Sequence, residues 1–226
     1  MSRTVSVPAS VKRLYGMDNG LQTFGLADRK NPDYPNQKAT LSIDGETSDL
    51  LTIEFLTVSV EHRSRRPVDL RHARFIYRAQ PGAGDVFLRD IVNPWASFAP
   101  GQNVWARQWN VESHSVDFPC ITADRTTVWS LGFKTEYESQ KLRAINGSSV
   151  ELYGAFIYPV VKGIPKDRPV FEIMDSTFAA QWGLSIYTAG HFLQVRDIRD
   201  GVARETTIRD GKQLGPRFRF DFYSNR

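Results

Sequence analysis

Two glutamates occupy the same place in two similar phrases. Glu112 stands eight residues after Val104 in NVWARQWNVE, and Glu136 eight after Val128 in TVWSLGFKTE. Glycoside hydrolysis uses two carboxyl groups flanking the scissile bond, one protonating the leaving oxygen and the other acting as base or nucleophile. If the phrases form neighbouring strands, equivalent positions lie about 4.8 Å apart. That matches the closer, retaining separation, and skipping a strand would match the wider, inverting one. Asp90 is the third acid candidate, at the break of the preceding phrase, beside Arg89 and near Arg107. The catalytic candidates are therefore Glu112, Glu136 and Asp90.

Substrate contacts come from the same phrases. Asn110 and Lys134 precede the two glutamates by two residues, and Trp105 and Trp129 follow the two valines by one. Outward tryptophans on adjacent strands expose apolar area, which calls for a covering loop or a sugar. Arg71, Arg89 and Arg107 form a column in which stacked like charges need anions. Either Asp69, Asp90 and Glu112 supply them, or an acidic ligand such as a uronate does. The competing account of all these residues is a solvated face crossed by ion pairs.

The elements that must position these side chains are repeats. Val68, Val86, Val104, Val128 and Val150 open five related phrases at steps of 18, 18, 24 and 22 residues. Two positions on come Leu70, Leu88, Ala106, Ser130 and Leu152, and the intervening Asp69, Phe87, Trp105, Trp129 and Glu151 face the other way. This is strand alternation. A bend is expected four residues after each Val, at His72, Asp90, Gln108, Gly132 and Gly154, followed by inward Ala73, Ile91, Trp109, Phe133 and Ala155. Units of about 20 residues cannot bury a core alone and must stack. The expectation is an all-β chain, a parallel β-solenoid. No dozen residues keep helical spacing without interruption.

Around these repeats, LTIEFLTVSV (Leu51 to Val60) reads as a strand pair and Asn93 to Gln102 as a loop. RFRFDFYSN near the C-terminus reads as a charged edge strand. The division expected is 1–48 as an irregular N-terminal segment able to act as a cap, 49–200 as coils, and 201–226 as edge strand and tail.

The chain has 226 residues, a net charge of +4 and one cysteine, Cys120, expected to be a buried thiol. No run of eighteen apolar residues occurs, so no membrane span is expected. The N-terminus lacks the apolar centre of a secretory signal, which implies an intracellular protein or a trimmed one. HRSRRP (His62 to Pro67) is the densest basic cluster, read as a solvated turn rather than a phosphate site. No nucleic-acid motif accompanies it. His62, His72, His114 and His191 lack metal-ligand spacing, and no GxSxG, HExxH or phosphate-loop pattern appears. No metal and no organic cofactor is assigned, with a calcium ion between carboxylates left open.

The phrases FLRDIV, VWARQWNVE, VWSLGFKTE, VELYGAFIYP and PVFEIMDS resemble the later coils of pectate-lyase-like right-handed parallel β-helix proteins, more narrowly those related to glycoside hydrolase families 28 and 55. The resemblance covers roughly Val68 to Ser176. It implies a single-stranded right-handed β-helix with three short strands per coil and a groove handling a polysaccharide or oligosaccharide, hydrolase before lyase. Such proteins carry earlier coils and a cap ahead of the matched region. Here residues 1–48 would serve as that cap, or the chain is a fragment, or an oligomer or partner chain covers the end. Two functions follow: polysaccharide hydrolysis by paired carboxylates, or a non-catalytic β-helix module for carbohydrate binding or assembly.

Overall fold

A left-handed backbone corner, repeated at a fixed place in each phrase, shapes the molecule. The computed structural model describes residues 4–16, 34–36, 38–113, 115, 117–159, 164–185, 192–215 and 218–225. His72, Asp90, Gln108, Gly132 and Gly154 all take positive φ, between 45° and 76°, and so does Phe55 in one further copy. Outside glycine this conformation costs about 1–2 kcal/mol per residue. The pairing of strands on both sides of the corner must offset it.

The strands between corners run in chain order. The first are β1 (Val5–Ser6), β2 (Arg13–Tyr15), β3 (Leu41–Ile43), β4 (Leu51–Glu54), β5 (Thr57–His62), β6 (Val68–Arg71) and β7 (Arg74–Ala79). Then come the long β8 (Val86–Phe98) and β9 (Asn103–Glu112), β10 (Ile121–Asp124), β11 (Thr127–Glu136), β12 (Leu142–Ile145) and β13 (Ser149–Tyr158). The last are β14 (Phe171–Met174), β15 (Thr177–Ser185), β16 (Leu193–Arg199), β17 (Val202–Thr207), β18 (Lys212–Gly215) and β19 (Phe218–Ser224). The described chain is all-β, one curled and mostly parallel sheet, with a single 3-10 turn at Tyr34–Asn36.

Register follows the repeats. Leu51, Val68, Val86, Val104, Val128, Val150 and Phe178 are paired each to the next in parallel, and every one is fully buried. A second column, Leu41, Val60, Tyr77, Ala96, Ile121, Leu142, Phe171 and Val195, is also paired in parallel. Between them Ala73, Ile91, Trp109, Phe133, Ala155 and Trp182 point inward. All three columns share one hydrophobic core. Each buried Val contributes about 1.5–3 kcal/mol relative to exposure, so the in-phase repeat is what the fold rests on.

The second turn of the repeat was not read from the sequence. Arg125, Asn146 and Asp175 take positive φ, and one or two residues later Thr126, Ser148 and Ser176 turn buried hydroxyls inward. Ser148 Oγ accepts from Thr126 N at 3.1 Å, and Ser176 Oγ accepts from Ser148 N at 3.1 Å. Asn146-Gly147-Ser148 is one of these turns, and Ser148 is part of a hydroxyl ladder that satisfies backbone groups in the interior.

Three expectations change. Asn93 is no loop residue: β8 continues through Phe98, and buried Asn93 accepts a hydrogen bond from Trp109 Nε1. Parallel pairing begins before residue 49, since β1, β2 and β3 join β3, β4 and β5. The tail β19 is no edge, because it pairs antiparallel with β15 on one side and β18 on the other. The Pro-rich segment PVVKGIPKDRPVF, residues 159–171, falls partly outside the described residues, and His114 and His191 fall wholly outside them. No helix of the described chain is long and apolar enough to cross a membrane.

Gly132 tests the corner. A Cβ there would meet nothing nearer than Gln108 at 3.6 Å, so dihedral strain alone sets the cost. Gly132→Asn should lower stability by no more than about 1 kcal/mol and Gly132→Val by about 2 kcal/mol, measured by urea unfolding. Equal costs would remove the left-handed corner as the reason for glycine.

Candidate functional site

The outward face of the first ladder carries the candidates in two adjoining columns. At its N-terminal levels it is an ion-pair network. Arg13 Nη2 donates to both oxygens of Glu54, at 3.0 and 2.9 Å, and Arg71 Nη1 reaches Glu54 at 3.3 Å. Arg71 also pairs with Asp69 at 2.5 Å, and Arg89 approaches the same carboxylate at 3.4 Å. Asp69 is outward in the strand yet fully buried under these arginines. The acid column ends there, because the next residues in it are Phe87, Trp105 and Trp129.

The rings form a ladder. Phe87 and Trp105 stack with centroids 4.9 Å apart and planes 11° apart, and Trp105 and Trp129 at 5.5 Å and 16°. Parallel register places them there, one strand spacing per ring. Their faces are turned to one another, so edges rather than faces meet solvent. The neighbouring column runs Arg89, Arg107, Leu131 and Tyr153, and the two together line an open groove of about 440 Å³. Leu131 is 63% exposed, and Trp105 and Trp129 are 37% exposed each.

Arg107 differs from the arginines below it. Where Arg89 has Asp69 within reach, Arg107 has Phe87 below and Trp105 beside it, and no ion pair is formed by Arg107 among the described residues. Of the acids expected to pair with this column, only Asp69 does. Asp90 instead accepts from His72 Nδ1 at 2.9 Å on the exposed corner, and Glu112 turns to Asn110 and Lys134.

Glu112 and Glu136 are in register, as are Asn110 and Lys134. Asn110 Nδ2 donates to Glu112 at 2.6 Å, and Lys134 Nζ lies 3.6 Å from Glu112 while pairing closely with Glu136. Partial burial pulls the Lys134 ammonium down, but hydrogen bonding and charge from Glu136 and Glu112 outweigh it and leave it above the ordinary lysine value. Asp90 is not part of this group. It is level with Gln108, and Glu112 lies four residues further along the strand, about 13 Å at 3.3 Å per residue. The structure thus separates the named residues into a groove with Trp105, Trp129 and Arg107, an ion-paired patch around Lys134, and a corner with Asp90. Phe87, Leu131 and Tyr153 belong to the groove and were not named as site residues, although their places in the repeat are those of Trp105 and Arg107.

The basic cluster HRSRRP is not a solvated turn, which corrects the expectation for it. His62, Ser64 and Arg66 are buried. The Arg66 guanidinium donates to the carbonyls of Asp49 at 2.8 Å, Pro8 at 3.3 Å and Val11 at 2.5 Å, tying the N-terminal strands to the stack. His62 Nε2 must carry a proton, since its partner at 2.9 Å is the Arg66 carbonyl, and Nδ1 accepts from the Tyr77 hydroxyl at 2.7 Å. Gln102 Nε2 donates to that hydroxyl at 2.9 Å. Cys120 is buried, as expected, 3.0 Å from Ser139 Oγ. Just before β12, Lys141 donates to the carbonyls of Glu136 and Tyr137 and to Ser139. Burial pushes its ammonium down to about 8.

Among the described residues no group of three or more His, Cys, Asp or Glu side chains is placed to hold a metal ion. No family model, curated protein or solved structure matches the chain.

His62 generates a pH prediction. Burial is the largest cause holding the imidazole down to about 4 from 6.5, against the carbonyl of Arg66. A value lower in the folded chain means full stability above pH 6.5, loss as pH falls from about 6.5 towards 4, and no further loss below. The contribution is on the order of 3 kcal/mol. Chemical denaturation at pH 7 and pH 4 should show the wild type losing that much more than His62→Gln, whose amide keeps both hydrogen bonds. Equal losses would contradict a buried neutral imidazole.

Proposed function

We propose that the curled sheet is a single-stranded right-handed parallel β-helix of the pectate-lyase-like kind, working as a non-catalytic carbohydrate-binding module. The stacked, partly exposed rings of Phe87, Trp105 and Trp129 beside Arg107, which forms no ion pair among the described residues, carry this reading. Aromatic rings with an apolar body beside a polar N–H suit a partner that is apolar on one face and hydroxylated on its rim. The mixture suits a glycan: apolar walls from Leu131 and Tyr153 for C–H faces, and donors from two arginines for hydroxyl or carboxyl oxygens. The two indole N–H groups add donors, since neither has an acceptor among the described residues. The uniform pitch of the parallel strands supplies repeated contacts for a repeating polymer.

Hydrolysis by Glu112 and Glu136 is the second reading, favoured by their side-by-side register. Against it, the Lys134 ammonium lies between the two carboxylates, where a scissile oxygen would have to enter. The pair also sits beyond the corner from the aromatic groove, on the outward face of β9 and β11.

Titration calorimetry against soluble polygalacturonate, xylan and β-glucan fragments tests both readings. At least one should bind, and Trp105→Ala and Trp129→Ala should each weaken that ligand about tenfold, some 1.4 kcal/mol. Affinity untouched by both substitutions would remove the groove from the function. Sugar release by the wild type that Glu112→Gln or Glu136→Gln abolishes would put hydrolysis first.

A further inference from the structure

The groove face has a second property: its surface chemistry is complementary to itself, so a second copy of the chain and a glycan would compete for the same side chains. Successive levels along the stack carry Phe87 with Arg89, Trp105 with Arg107, Trp129 with Leu131, Glu151 with Tyr153, and Ala179 with Gln181. The most exposed apolar side chain of the face, Leu131 at 63%, lies on the middle level. One level towards the N-terminus is Arg107, which forms no ion pair among the described residues. One level towards the C-terminus is the carboxylate Glu151, beside Tyr153, which is 38% exposed.

A two-fold axis lying in this face, parallel to the strands and passing through the Trp129–Leu131 level, brings a second copy onto it with the stack reversed. Leu131 then meets its own copy, and the Trp105–Arg107 level of each molecule faces the Glu151–Tyr153 level of the other. Each Arg107 gains a ring and a carboxylate, and each exposed Trp105 edge gains an acceptor. Both contacts occur twice by symmetry, as an isologous interface requires. Aromatic and arginine side chains at the centre of a patch are those that carry binding energy at interfaces.

We propose that this face is a homodimer interface, with two chains packed antiparallel through Leu131, Trp105, Trp129 and Tyr153 and registered by Arg107 against Glu151 of the other copy. Pairing through the edge of β17, which is bonded on one side only among the described residues, is disfavoured. A two-fold pairing of that strand sets Glu205 or Arg204 directly opposite itself or leaves only its ends in contact, and like charges opposite one another destabilise.

Sedimentation equilibrium of the full chain over a wide concentration range is the test. The wild type should show a monomer–dimer equilibrium, and Leu131→Glu should weaken it at least about tenfold. Arg107→Glu and Glu151→Arg should each weaken self-association similarly, because each places like charges together at both contacts. Mixed in equal amounts they should form a heterodimer of near wild-type affinity, because the mixture restores an opposite-charge pair at each contact. Rescue by mixing also requires both variants to be folded, so misfolding cannot imitate it. A wild type that stays monomeric, a dimer unaffected by Leu131→Glu, or variants that do not rescue each other would each overturn the proposal.

Discussion

Parallel pairing of like positions is the constraint on which everything else depends. Once Val68 is bonded beside Val86, and Val86 beside Val104, the side chains one and three positions on are bound to form columns as well. The core column, the arginine column and the aromatic column are one geometric fact seen on different faces. The corner residue is part of it, because a shift of one position would turn every buried Val outward. That is why a conformation as unfavourable as positive φ recurs in Phe55, His72, Asp90 and Gln108 and is not confined to glycine.

Columns also make charge a matter of sequence along the stack and not of single residues. Glu54 and Asp69 are each shared by two arginines, so the lower levels neutralise themselves. Phe87 replaces the acid at the next level, and the neutralisation stops while the arginines continue for one level more. The groove is the place where two columns fall out of step. On the neighbouring face Lys134 does the opposite work, holding two stacked carboxylates that would otherwise repel.

Much of the architecture was legible because the repeat is strong where the core is. The valines, the positions two after them, the corners and the inward Trp109 and Phe133 are all found where alternation puts them. The second turn was missed because Thr126, Ser148 and Ser176 are small polar residues whose buried role depends on hydrogen bonds to a neighbouring level, which no single phrase displays. The basic cluster misled for a related reason: the charge of Arg66 says solvent, while three backbone carbonyls brought from distant strands say interior. The site was half legible. The Trp105–Trp129 stack and the Glu112–Glu136 register follow from spacing, but which cation each acid would choose depends on side-chain reach across levels, and there Asp90 and Glu112 went elsewhere.

The unequal steps between valines have a meaning of their own. The distance from each Val to its corner never changes from Val68 to Gly154, while the remainder of the circuit varies in length. All the slack therefore falls outside the segment from Val to corner, in the chain between each corner and the next Val. The molecule has a rigid front, whose pattern of side chains is indexed by the backbone, and an elastic back that can lengthen or shorten without disturbing it.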